Sequence, residues 1–203
     1  MKDLKGTVEI EGDTPLLIHN GRTSNPLDEY AKKMKLITSK RKKTEEDIEK
    51  LLDIQWNASL YWNDQIGLYM PVENLQAALH KACKKHKMGN NVSAFIFSEK
   101  LGFQIETEGH KDLSVLSARK ECRFVKTVTI QRAKTLSCRA IFNEWGIKFN
   151  FILDQLIMNQ SDAEMIIDTM TNRIGLGVWT PSHQKPGNFG KFKIKSMKFE
   201  TVK

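Results

Sequence analysis

The amino-acid sequence predicts an α+β fold with an antiparallel sheet. Three observations carry that prediction. Residues 4–10 alternate, Leu4, Gly6, Val8 and Ile10 against Lys5, Thr7 and Glu9, the period of a half-buried strand. Residues 146–153 repeat the pattern through Ile147, Phe149, Phe151 and Leu153. Two other segments, 71–87 and 161–174, space their apolar residues three and four apart, as an amphipathic helix does.

The elements follow in order. After the strand at 4–11 comes Thr14-Pro-Leu-Leu-Ile-His-Asn-Gly21, apolar and then turning. Asn25-Pro26 predicts a helix to about Thr38, with Asn25 as its cap and Pro26 in the first turn. Lys40–Lys43 is a loop. Thr44-Glu-Glu-Asp47 is a capping box, and Ile48, Leu51, Leu52, Gln55, Ser59 and Trp62 follow at helical spacing. Residues 66–70 read as a short strand, and Pro71 opens a helix that buries Leu75, Ala78, Leu79, Ala82 and Cys83 and ends near Met88-Gly89. The stretch 92–133 reads as strands and loops, with Phe95, Phe97, Phe103 and Ile105 buried and Phe124, Val128 and Ile130 on a strand. Residues 135–144 and 146–153 form an expected hairpin that turns at Asn143-Glu-Trp-Gly146. Ser161-Asp-Ala-Glu164 predicts the start of a helix whose buried stripe is Ala163, Ile166, Ile167, Met170 and Ile174. Gly175-Leu-Gly177 ends it, Pro181–Gly190 is a loop, and 189–199 is a last strand with Lys191, Lys193 and Lys195 on one face. Strand, helix, strand, strand, helix, strand (4–11, 71–87, 135–144, 146–153, 161–174, 189–199) is the ferredoxin-like order shared with RNA-recognition modules. Two long insertions, at about 20–70 and 89–133, interrupt it.

Size and composition agree with a globular chain. The 203 residues are 40% hydrophobic and 28% charged, which predicts a single domain over 1–203, with two packed small domains as the alternative. Cys83, Cys122 and Cys138 form no C-x-x-C and fit a reducing compartment, so the expected location is cytoplasmic. No apolar run reaches the roughly 20 residues of a membrane helix, and the first residues show no secretory signal, so no membrane partner is expected.

Charge is the first clue to function. Lys plus Arg is 32 against 24 for Asp plus Glu, a net charge of +8. Such an excess favours polyanionic partners. The basic residues cluster at 30–44, 80–87, 119–139 and 169–199, and these stretches hold almost no acids. The acids gather elsewhere, as at Glu45-Glu46-Asp47. This segregation predicts a positive surface, whereas an ordinary solvated face mixes both signs.

Gly175-Leu-Gly-Val-Trp-Thr-Pro-Ser-His-Gln-Lys-Pro-Gly-Asn-Phe-Gly190-Lys is the most informative segment. Glycines admit close backbone approach, and N–H groups there can hold phosphate oxygens. The alternative is a helix end at Gly175 followed by an ordinary turn. It is not a P-loop, because G-x-x-x-x-G-K-[ST] is missing, and not a dinucleotide fingerprint, because the glycines follow the helix.

Three features together resemble the RAMP superfamily of CRISPR proteins: the ferredoxin-like order, this loop between the last helix and the last strand, and Thr14-Pro-Leu-Leu-Ile-His19-Asn-Gly21. More narrowly, the chain is similar to the backbone subunits of class 1 CRISPR effector complexes and to their stand-alone phage relatives. Ile130–Trp145 also fits them. Relative to those relatives, Val178 and Thr180 replace polar and basic positions, and the loop to Gly190 is longer.

The resemblance implies sequence-tolerant binding of single-stranded RNA or DNA, RNA foremost, by a homo-oligomer or filament stacked along the strand. Lys and Arg would neutralise phosphates and aromatic rings would stack on bases. The expected contacts are Arg41, Lys42, Lys43, Arg132, Lys134, Arg139, Lys185, Lys191 and Lys193, with Gly175 and Gly177 of the loop. Trp179 and Trp145 are the expected stacking residues, with Trp62 and Tyr30 behind them. Core packing is the competing role for both Trp145 and Trp179, and the favoured one for Trp145 at its turn. A metal-independent endoribonuclease is the second reading, with His19 or His183 polarising a 2′-hydroxyl and Lys185 stabilising the phosphate. A buried or turn-capping histidine is the favoured role for His19, and His80 and His86 read as a solvated helix end. Asp28 is the one carboxylate placed for testing. No spacing suggests zinc, and no cofactor is expected. The third reading is a viral interaction or sequestering module.

Overall fold

The computed structural model describes residues 2–130 and 133–202. Its strands are β1 (Leu4–Gly12), β2 (Leu16–Ile18), β3 (Trp62–Asn63), β4 (Gly67–Pro71), β5 (Phe95–Ile96), β6 (Gly102–Glu106), β7 (Arg123–Ile130), β8 (Ala133–Phe142), β9 (Gly146–Leu153) and β10 (Phe192–Thr201). Its α-helices are α1 (Glu29–Thr38), α2 (Glu45–Ser59), α3 (Val72–Lys85), α4 (Leu113–Ala118) and α5 (Gln160–Thr169). A π-helical turn, Met170–Ile174, continues α5. Among the described residues no helix is long and apolar enough to cross a membrane.

The strands form two antiparallel sheets. The larger runs β10-β1-β9-β6-β4-β3, with β5 beside β9; the smaller runs β2-β8-β7. Taking β1, α3, β6, β9, α5 and β10 in chain order recovers the ferredoxin-like core. The expected identity of its second strand is corrected: it is β6, from within the expected 89–133 insertion, and not 135–144. The expected hairpin at Asn143–Gly146 is corrected with it. β8 pairs with β7 and β2, whereas β9 pairs with β1, β5 and β6, so the chain changes sheets at that turn. Both neighbours alternate cleanly, and alternation reports a strand without naming its partner.

One buried cluster joins the two sheets, from Val8, Phe149 and Phe151 of the larger to Leu16, Ala140 and Phe142 of the smaller, with Leu75, Leu79, Ile166 and Ile167 from α3 and α5. Gly6 is needed where it stands, because a Cβ there would lie 2.4 Å from the Phe151 ring. In β10 a bulge between Glu9/Ile10 and its partners shifts the register. Phe192 and Ile194 before it, and Met197 and Phe199 after it, all take the core side, while Lys193, Lys195 and Lys198 are exposed. Lys193 and Lys195 thus keep the expected common exposed face, the bulge brings Lys198 rather than Met197 outward after them, and Lys191 precedes the strand.

Several helix starts also move. Thr44 and Asp47 make the expected capping box of α2. Asn25 instead accepts from Leu27 N–H, and Asp28 caps α1. Asn159, not Ser161, caps α5, accepting from Asp162 N–H at 2.9 Å. Trp62 lies beyond α2 in β3, and the tryptophan that α2 buries is Trp56, donating to Cys122 O at 2.8 Å.

Candidate nucleic-acid interface

The glycine-rich loop runs along β2. Val178 N–H donates to Leu17 O (2.9 Å), Leu176 N–H to Gly190 O (2.9 Å) and Gly190 N–H to Pro15 O (2.9 Å). Gly175, Gly177 and Gly190 have φ of 73°, 84° and 68°, the left-handed region. A Cβ on Gly177 would lie 2.3 Å from Leu17 O, and one on Gly190 would lie 1.8 Å from Leu176 O. The glycines therefore serve close backbone packing. The Leu176, Val178 and Gly190 N–H groups, like those of Gly175, Gly187 and Phe189, are taken by backbone carbonyls, so they do not hold phosphate as the sequence led one to expect.

Within the loop, Trp179 also has a left-handed backbone, φ 52°. Its ring meets β7 and β8, where Phe124 and Arg139 are direct cross-strand partners and Lys126 stands two residues along the same face. Phe124 packs edge-on (centroids 5.8 Å apart), the Arg139 guanidinium lies 5.1 Å from the ring centre and Lys126 Nζ lies 4.8 Å from it. The ring thus carries cations on its π surface. Arg139 is half-buried, burial pulls its pKa down, and no carboxylate pairs with it among the described residues.

His19 follows β2 directly. The next residue anchors it: Asn20 N–H donates to Ser59 O, and Asn20 Nδ2 donates to Leu60 O. Tyr61 Oη donates to His19 O at 3.2 Å. Two cavities meet at His19. One of about 150 Å³ lies between the glycine-rich loop and α3, with Asn74, Lys81, Gly175 and Gly177 in its wall. The other, about 440 Å³, lies between α1, α2 and the β7–β8 hairpin and includes Arg139. Burial, then the nearby Arg139 charge, hold the His19 imidazole below its ordinary pKa range. A neutral imidazole accepts a proton or hydrogen bond at one nitrogen.

The fold therefore brings together His19, Arg139, Gly175, Gly177 and Trp179. Lys81, Lys126, Asn74 and Tyr61 join them without having been singled out in the sequence. Lys81 and Lys126 fall in the basic stretches at 80–87 and 119–139, but charge alone does not tell that one lines the smaller cavity and the other meets the Trp179 ring. Lys134 is exposed further along β8. Arg132 lies outside the described residues.

Other expected residues stand apart from both cavities. Arg41, Lys42 and Lys43 are exposed between α1 and α2. Lys193 pairs with Asp13 at 2.9 Å, and Lys191 N–H donates to Thr14 Oγ1. His183 and Lys185 are exposed near the loop tip, Lys185 N–H donating to His183 Nδ1 at 3.1 Å. His86 is not merely solvated: its Nε2 lies 2.8 Å from Thr169 Oγ1, tying α3 to α5. Trp145 takes the core-packing role, 4% exposed, donating to Thr14 O and packed edge-on to Phe192. Trp62 donates to Asp64, and Arg22 and Lys33 lie over the Tyr30 ring. Asp28 caps α1 and pairs with Arg22 at 2.9 Å, which gives it a structural role. Among the described residues no cluster of His, Cys, Asp or Glu could hold a metal ion.

No protein-family model and no curated protein matches this sequence. Among solved structures, the chain is similar to one in the cryo-electron microscopy structure of the Type III-B Cmr-beta bound to cognate target RNA. The TM-score is 0.52 at 10% identity, over 98% of this chain and 61% of that one. The chain thus spans about three fifths of the length of the chain it matches. At this identity the likeness shows a shared fold. It agrees with the ferredoxin-like α+β class and identifies no family.

Proposed function

We propose that this chain binds single-stranded RNA, in preference to DNA, along the groove from Lys126 and Arg139 past His19 to Lys81. The observation that carries the reading is Arg139: a half-buried guanidinium with no carboxylate partner among the described residues, beside an open cleft. Desolvating a cation is costly unless an anion meets it, and a backbone phosphate is such an anion. The net charge of +8 supports a polyanionic ligand. The fold likeness to a chain in an RNA-bound structure supports RNA as that ligand. Subunits stacked along the strand complete the proposal.

Fluorescence anisotropy on labelled 30-mers of single-stranded RNA, single-stranded DNA and duplex, at two salt concentrations, tests it. The expected result is salt-sensitive binding, RNA over DNA over duplex, weakened by Arg139→Ala. Equal, weak binding to all three at low salt would overturn it.

A metal-independent endoribonuclease is the second reading, favoured by the shared cavity of His19 and Lys81. It requires RNA cleavage in EDTA that His19→Ala abolishes, read on a denaturing gel.

A further inference from the structure

The larger cavity at His19 has the make-up of a small-molecule site. Its volume of about 440 Å³ falls within the roughly 300–1,000 Å³ usual for such sites. Met34 of α1, Leu51 of α2 and Leu136 of β8 give it an apolar wall, and Arg139 and His19 line it as well. An apolar slot with a cation takes a ligand with an apolar body and an anionic end.

The edge of β8 narrows the choice of body. β2 stops opposite Ala140, so from Arg139 back to Thr135 that edge has no strand beside it among the described residues. α2 covers part of the gap: Gln55 Oε1 accepts from Cys138 N–H, and Ser59 Oγ accepts from Ala140 N–H, both at 2.8 Å. Backbone groups alternate in direction along a strand, so the N–H and C=O of Leu136 face the same side as those of Cys138 and Ala140. A donor and an acceptor side by side match the edge of a nucleobase and offer little to an alkyl chain.

We infer that this cleft is a pocket for one nucleoside monophosphate, its base against Met34, Leu51 and the Leu136 backbone and its phosphate on Arg139. The choice of a nucleotide rests on the RNA-binding reading. A free mononucleotide and a single nucleotide of a bound strand present the same chemistry, and the test separates them.

Isothermal titration of the full chain with the four ribonucleoside 5′-monophosphates is the first arm. Adenosine, ribose 5-phosphate and octanoate are the controls. One monophosphate or more binds at one per chain, with nucleoside and sugar phosphate weaker by roughly tenfold. Met34→Trp fills the cleft, Leu136→Asp charges its wall, and each removes that binding while circular dichroism stays unchanged. The second arm measures a single-stranded RNA 30-mer with the same variants. Mononucleotide binding blocked by Met34→Trp, with strand binding unaffected, supports the pocket and names a free nucleotide as its occupant. Strand affinity that falls with Met34→Trp supports the pocket and names a nucleotide of the strand. Mononucleotide binding without strand binding supports the pocket and removes the strand reading. No mononucleotide binding, with strand binding indifferent to Met34→Trp and Leu136→Asp, overturns the pocket and leaves the strand reading standing. Octanoate binding more tightly than every nucleotide also overturns it, and no binding in either arm overturns both.

Discussion

The Arg139 guanidinium lies 5.1 Å from the centre of the Trp179 ring, and that ring hangs from a left-handed backbone at φ 52°. A bulky residue rarely adopts that conformation, which costs of order 1–3 kcal/mol. The surrounding loop holds it there: Phe189 N–H donates to Trp179 O, and Gly187 packs so close that a Cβ would lie 2.0 Å from the same oxygen. The backbone strain is thus coupled to the placement of a cation beside the cleft.

That coupling is measurable. Trp179→Ala and Arg139→Ala each weaken single-stranded RNA binding by roughly five- to tenfold, and the double variant loses little beyond either single change, as residues acting as a unit do. Arg139→Ala also lowers the slope of log affinity against log salt by about 0.7 to 1, the loss of one phosphate contact. Anisotropy titrations across salt check both outcomes.

The glycine-rich loop is a packing device, so its substitutions act on stability. Gly190→Ala must relieve both a left-handed φ and a backbone clash, and it destabilises the fold by about 2–4 kcal/mol. Gly21→Ala, where a Cβ meets nothing within 4 Å, changes stability by less than about 0.5 kcal/mol. Urea denaturation of the two variants separates these cases.

His19, exposed at the end of β2, adds a modest acid sensitivity to the fold. Burial, then Arg139, hold its folded-state pKa below the ordinary value of 6.5, so the fold favours the neutral ring. Its contribution to stability is complete above 6.5 and drains away as pH falls from there toward the lower folded value. NMR titration of the His19 ring gives a midpoint below 6.5 in the parent chain and a higher one in Arg139→Ala.

Cys138 is 2% exposed, and burial pushes its thiol pKa up to about 11. A buried thiol with so little thiolate reacts slowly. Cys138 therefore resists an alkylating reagent at pH 8 in the folded chain and reacts once denaturant unfolds it, as mass spectrometry of the labelled peptide reads out.

How much of this was legible depended on the range of the interactions. The alternation of Leu4–Ile10 and Ile147–Leu153, the capping box at Thr44–Asp47 and the buried stripe of α3 are local signals, and they appear in the folded chain where the sequence puts them. The ferredoxin-like class followed from their order. The resemblance also pointed to the glycine-rich loop and to His19, which do meet in space.

The sequence by itself determined β1, β9, the helical segments of α2, α3 and α5, and the charge excess. Only the tertiary structure decided the partners. It seated 102–106, not 135–144, in the central sheet, buried Trp145, gave Asp28 to a helix start and Lys193 to Asp13. It gathered Arg139, Trp179, Lys126 and His19 from positions far apart in the chain. The physical reason is that periodicity and capping arise between residues a few positions apart. Strand pairing, burial and the neutralisation of a charge depend on surfaces that meet only when the chain closes on itself.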